Sequence, residues 1–312
     1  MTLPFAITQL LQQLVNMCVT ALAAFAVTMV FRTSTTTNFA QGSVAALGCY
    51  VTADLFGKYG IPVYIGLIPG VVVGVLCGLL IDVFIFRNGK NIHPVGKQII
   101  TMGLVSIIFG GIPLVFGNPE RVPFESFYRG DKANANIKLA VLGGKVTISR
   151  HAMICLGISV AVLATLFLLL KFSKWGLAVR ATASNEFTAE LMGINSHVIT
   201  AVSWAIACAL GVLAAVMYAG SGTNISPSFM TTIQVNAFLA CILGGFSTFY
   251  GPVVGAICIP LVSTLVGFLQ FLPIDGVSSI SRWKMVIVYV LLLIVILIKP
   301  QGLLGKPVAK KV

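Results

Sequence analysis

Apolar runs of about 20 residues recur along the whole chain, and most end at a lysine or arginine. A helix of that length, rising 1.5 Å per residue, matches a hydrocarbon core about 30 Å thick. No water is available there, so the backbone must satisfy its own hydrogen bonds and each run becomes a helix. The sequence therefore predicts an all-α, polytopic transmembrane helical bundle with about eight to nine spans. Composition agrees, with 58% hydrophobic and 9% charged residues. Soluble domains carry roughly 25% charge.

Hydropathy predicts spans over 10–31, 39–56, 61–86, 99–116, 153–172, 199–218, 233–246, 253–272 and 285–298. A polar loop occupies 117–150, a polar segment 173–198, and the tail KPQGLLGKPVAKKV closes the chain. Residues 1–312 read as one membrane domain. The first run lacks a basic lead and a cleavage site, so it reads as a retained span. An odd number of crossings puts the termini on opposite sides. Lysine and arginine divide almost evenly between the two sides. The compact cluster Lys171, Lys174 and Arg180 and the tail Lys299, Lys306, Lys310 and Lys311 decide the orientation. They place 173–198 in the cytoplasm and 117–150 outside.

The net charge of +12 sits mostly at the ends of apolar runs. Anchoring at lipid headgroups accounts for it, and nucleic acid is not an expected partner. The seven cysteines lie in apolar runs with no CxxC and read as small buried hydrophobes. GGKV at Gly143 and GLLGKP at Gly302 lack the spacing and the Ser/Thr of a P-loop. The chain shows no ATP site, cofactor site, metal cluster or catalytic triad, and it reads as a non-enzyme. His93, His151 and His197 fall near span ends, where interfacial residence explains them. The acids also fall in loops or at span ends, except Asp82, which has Arg87 nearby. Carriers driven by proton or sodium gradients place ionisable groups near the membrane centre. Their absence here makes another polypeptide the expected energy source.

Gly70, Gly74 and Gly78 repeat at four-residue spacing, and Gly251 and Gly255 frame GPVVG. Small residues at this spacing let helix backbones approach closely in lipid, so these are expected packing seams. Spans two and seven are short, polar-tinged and glycine-rich, and they run in opposite directions at comparable places in the two halves. That is consistent with an inverted repeat of interrupted helices. Two poorly hydrophobic packed helices give the same pattern.

The stretch GLAVRATASNEFTAELMGI, 176–194, breaks the apolar pattern. Ser184 or Asn185 can cap a helix there, Glu186 sits in its first turn, and Gly193 can stop it. Glu186 and Glu190 share one side, with Phe187 and Leu191 one step round. So short a helix is marginal in water. It needs its apolar stripe docked, either on its own bundle or in a partner's groove. A solvated loop is the alternative.

These residues resemble a known family. GLAVRATASNEFTAELMGIN is similar to the cytoplasmic coupling segment of permease subunits of branched-chain amino acid ABC importers. NFAQGSVAALGCYV, VNAFLACILGGFSTFYGPVVGA and KPQGLLG are similar to its other recurrent stretches. The resemblance implies pairing with a homologous permease, two ATP-binding cassette ATPases that carry the ATP, and an extracytoplasmic solute-binding protein. It implies that 186–193 inserts into the ATPase, with Arg180 and Asn185 bracing its approach. It makes Asn38, Gln41, Ser43, Gln234 and Asn236 expected pathway residues, since amides and hydroxyls pass a zwitterion without holding it tightly. The 117–150 loop, where Lys and Arg outnumber Asp and Glu, is either a receptor-docking surface or plain solvated loop. Related permeases for sugars or nucleosides, a stand-alone channel or facilitator, and a secondary carrier are the competing readings.

Overall fold

A computed structural model describes residues 3–87, 89, 92–117, 120–121, 126–127, 136–141, 144–269, 280–299 and 301–305. Glu125, Arg129, Asp131 and Lys132 of the 117–150 loop, and Lys90, Asp275, Lys306, Lys310 and Lys311, lie outside the described residues.

Twelve helices are described: α1 Leu3–Gln12, α2 Leu14–Ser34, α3 Gln41–Tyr59, α4 Val63–Leu80, α5 Pro94–Phe116, α6 Arg150–Phe172, α7 Lys174–Ser184, α8 Glu186–Leu191, α9 Ser196–Ala219, α10 Thr231–Gly244, α11 Gly251–Phe268 and α12 Ile280–Ile298. Among the described residues, six helices are long and apolar enough to cross a membrane, and α10 and α12 contain shorter apolar stretches. All nine expected spans have a helix in place. The expected 117–150 loop also holds a hairpin, β1 Asn136–Val141 paired antiparallel with β2 Gly144–Ser149. Hydropathy missed it because its alternating pattern is short and interrupted.

The helices α2 and α9 form the core, packed along each other. Their sequences explain this. Ala23, Ala24 and Ala26 of α2 and Ala207, Ala214 and Ala215 of α9 are small and buried, so the two backbones approach closely. Around this pair the packing repeats. The α3–α4 pair packs on α9, and the α10–α11 pair packs on α2. Thus α2, α3 and α4 occupy places that match α9, α10 and α11, the arrangement an inverted repeat produces. By contrast α5 has only 11% of its span buried and α6 22%.

Glycines set the spacing within and between the two halves. A Cβ on Gly70 would sit 2.6 Å from Gly48 O of α3, and one on Gly255 would sit 2.3 Å from Ala240 O of α10. Gly74 and Gly78 abut α9, at Val212 and at the Trp204 carbonyl, and Gly251 abuts Gly244. Such contacts leave no room for a side chain.

Two ends of the bundle differ. Near the start of α6 lies the β-hairpin, which Thr147 N ties to Thr8 Oγ1 of α1 at 3.3 Å. At the opposite end lie α7, α8 and the described tail, where Arg32 Nη1 donates to Ser247 O at 2.7 Å. The first and last described residues therefore sit at opposite ends, as an odd number of crossings requires.

Candidate functional site

Residues 174–191 fold as two helices that meet at Asn185, and α9 begins at Ser196. Ser173 starts α7, its Oγ accepting from Gly176 N at 2.9 Å. Asn185 starts α8, its Oδ1 accepting from Thr188 N at 3.1 Å. Of the two caps the sequence offered, Asn185 does this work and Ser184 closes α7. Gly193 stops α8 at φ 85°, a conformation that favours glycine, and Ile194 N donates to Ala189 O at 3.0 Å. Arg180 Nη1 donates to Leu170 O at 2.7 Å and Lys171 O at 3.3 Å, satisfying carbonyls at the end of α6. A helix of six residues cannot hold itself in water. This one is fixed by its cap, its glycine stop, the buried Ala189, and a hydrogen bond from Ser196 Oγ to the Glu190 carboxylate.

The two sides of α8 face different surroundings. Phe187, Leu191 and Met192 are 70%, 72% and 79% exposed, so the apolar stripe is not docked on its own bundle. Glu186 and Glu190 border a recess of about 240 Å³ that also takes in Asp82, Arg87, Lys97 and His197. The sequence showed an acidic stripe; the fold brings arginine and lysine from around α4 and α5 to face it. Asp82, buried, lies in a π-helical turn, Ile81–Phe86, closed by Arg87 N donating to Asp82 O at 2.9 Å. Arg87, Lys97 and His197 went unrecognised in the sequence because about a hundred residues separate the first two from α8.

A second cluster lies inside the bundle. Residues 35–40 run non-helically between α2 and α3, with Thr36 and Asn38 fully buried. Non-helical backbone survives at membrane depth only against protein or water. Gln234 Nε2 donates to Asn38 O at 3.3 Å, and Gln41 Nε2 to Ala23 O at 3.4 Å, halfway along α2. Asn38 Nδ2 and Gln41 Oε1 are buried with no hydrogen-bond partner. Ser43 and Gln234 border a groove of about 260 Å³ between α3, α5 and α10, whose other walls include Phe39, Met102, Phe109 and Phe238. So Asn38, Ser43 and Gln234 come together, with Gln41 on the core side of the same turn.

A family profile described as branched-chain amino acid transport system / permease component matches residues 9–296. The chain belongs to that family. Its relatives include the high-affinity branched-chain amino acid transport system permease protein LivH of Salmonella typhimurium, 26% identical over 94% of this chain and 93% of the relative. The corresponding protein BraD of Pseudomonas aeruginosa is 27% identical over 97% and 98%. A fructose import permease protein, FrcC of Rhizobium meliloti, is 23% identical over 94% of this chain and 77% of its own. No solved structure matches the chain. It is a multi-pass permease subunit of the cell membrane.

In this permease Asn236 stands apart from the other expected pathway residues. It accepts from Tyr289 Oη at 3.2 Å, on the α12 side of α10. His151, expected at an interface, is buried. Its Nδ1 accepts from Phe127 N at 3.2 Å and its Nε2 lies 3.0 Å from Met217 O. At the hairpin end Arg121 bonds Asp54 at 2.8 Å and exchanges backbone hydrogen bonds with Ile225, whose carbonyl also accepts from Tyr50 Oη at 3.3 Å.

Proposed function

We propose that this permease is the membrane half of an ATP-binding cassette importer for branched-chain amino acids. It pairs with a homologous permease, and two ATPases that hold the ATP drive it. An extracytoplasmic binding protein delivers the solute at the hairpin end, and α8 faces the cytoplasm. The observation that carries this reading is the rigidly mounted α8 with Phe187, Leu191 and Met192 exposed. An apolar knob that is capped at both ends and undocked on its own chain suits a partner's groove. Arg180 braces α7 against α6, so movement of the knob is carried into the bundle as a rigid body.

The groove between α3, α5 and α10 is the proposed conduit wall, completed by the second permease. Its phenylalanines and methionine suit an aliphatic side chain, and Ser43 and Gln234 offer polar contacts to the α-amino and carboxylate groups. That lining favours a branched-chain amino acid over a sugar, whose hydroxyls would lie against apolar rings. Reconstitution of this chain with its co-purifying partners in ATP-loaded proteoliposomes tests the reading. Uptake of leucine, isoleucine or valine that needs both ATP and the binding protein is expected. Flux by the chain alone, or uptake of fructose only, contradicts it.

A further inference from the structure

The described tail and the LGGFST turn, far apart in the sequence, lie against each other. Leu303 N donates to Leu243 O at 2.6 Å and Leu304 N to Gly244 O at 3.2 Å. These carbonyls belong to the last turn of α10, which has no partners of its own for them. Three glycines make the approach steric fact rather than accident. A Cβ on Gly245 would lie 2.6 Å from Gln301 O, and one on Gly302 would lie 2.5 Å from Gly245 N. Gly245 and Gly302 both take positive φ, 91° and 79°. Gly305 also packs here, its Cα 2.8 Å from where a Gly245 Cβ would be. The turn is tied in addition to α2, through Arg32 over the Phe249 ring at 4.6 Å.

An α10 of 14 residues spans about 21 Å and cannot cross the hydrocarbon core alone. Its height in the bundle must be set by what holds its ends. Gln234 lies ten residues before Gly244, about 15 Å along the helix. We propose that residues 301–305 form a clasp that positions α10, and through α10 fixes the level of Gln234 in the conduit. The clasp works through backbone N–H groups and through the absence of side chains at Gly245 and Gly302. Leu303 and Leu304 are positioning residues by their amides, not by their side chains. This inference rests on the conduit reading given above.

The test uses the assembled importer in proteoliposomes, with uptake and ATP hydrolysis measured per complex. Leu303→Pro removes one donor and keeps an apolar side chain; Leu303→Ala keeps the donor and removes the side chain. Leu303→Pro is expected to cut uptake about tenfold while receptor-stimulated hydrolysis persists, and Leu303→Ala to stay within about twofold. If Leu303→Pro does not assemble, Gly302→Ala decides, with the same loss of uptake per ATP expected. Normal uptake per ATP in whichever of the two assembles overturns the clasp, even if its yield or melting temperature falls, because that pattern marks a merely structural role. Equal losses in Leu303→Ala and Leu303→Pro overturn it as well. Failure of the wild-type complex to import any branched-chain amino acid contradicts the conduit reading instead, and the two failures are separate readouts.

Discussion

Ser196 Oγ donates a hydrogen bond to the Glu190 carboxylate, joining the end of α8 to the first turn of α9. Since α9 and α2 form the core, this single polar contact links the exposed knob to the most buried part of the bundle. Ser196→Ala is expected to leave expression intact and lower ATP-driven uptake about tenfold, the scale of one hydrogen bond to a charged group. Initial uptake rates per assembled complex check this. Ser196→Thr, which keeps the hydroxyl, is expected to retain most activity.

Charge reversal of α8 should act on the same joint. Glu186 and Glu190 face Arg87 and Lys97 across the recess. Glu186→Arg with Glu190→Arg would set four cations around it and remove the acceptor for Ser196. Uptake is expected to vanish while the protein still reaches the membrane, measured by transport and immunoblot of the same vesicles.

Phe187 is 70% exposed, so Phe187→Ala removes little from the chain's own stability. If a partner buries it, the change costs the complex about 1.5–3 kcal/mol, a tenfold to hundredfold weaker association. Titration of the ATPase onto the purified permease measures that shift, with an unchanged melting temperature for the permease alone.

The glycine seams predict a contrast in stability. Gly70→Leu and Gly255→Leu drive a side chain into backbone that a Cβ alone would approach to 2.6 and 2.3 Å, so both should destabilise by about 1–3 kcal/mol or more, as overpacking does. Gly110→Ala meets nothing within 4 Å and is expected to be neutral. Thermal unfolding in detergent separates the two cases.

Within the proposed conduit, Gln234→Ala and Ser43→Ala are expected to change the KM or maximal rate of uptake by about tenfold, the worth of one hydrogen bond to a charged solute. Asn236→Ala, whose side chain is engaged by Tyr289 on another face of α10, is expected to change neither. Transport kinetics over a range of leucine-loaded receptor concentrations distinguish them.

Much of this was legible in the sequence because membrane physics writes itself as long apolar runs. Every expected span has its helix, and cap and stop chemistry placed the ends of α8 at Ser184 or Asn185 and at Gly193, the structure selecting Asn185. What stayed hidden was non-local. No spacing rule connects Arg87 and Lys97 to Glu186, or Leu303 to Leu243. Gln234 and Asn236 looked equivalent as neighbouring amides, yet two residues on a helix turn the side chain by about 200°, so one meets the groove and the other Tyr289. The hairpin over 136–149 carried too weak an alternation to stand out beside the apolar runs.

The central claim is that the push arrives at Phe187 from the cytoplasm, and sidedness with proximity tests it most directly. A Phe187→Cys variant is treated with a membrane-impermeant maleimide crosslinker in inside-out and right-side-out vesicles, with the unsubstituted chain as the background for its seven native cysteines. The account predicts labelling in inside-out vesicles only, and a crosslink to a P-loop ATPase that changes in yield when ATP is added. Labelling from the external face, or an exposed thiol that crosslinks to no ATPase in the assembled complex, contradicts it.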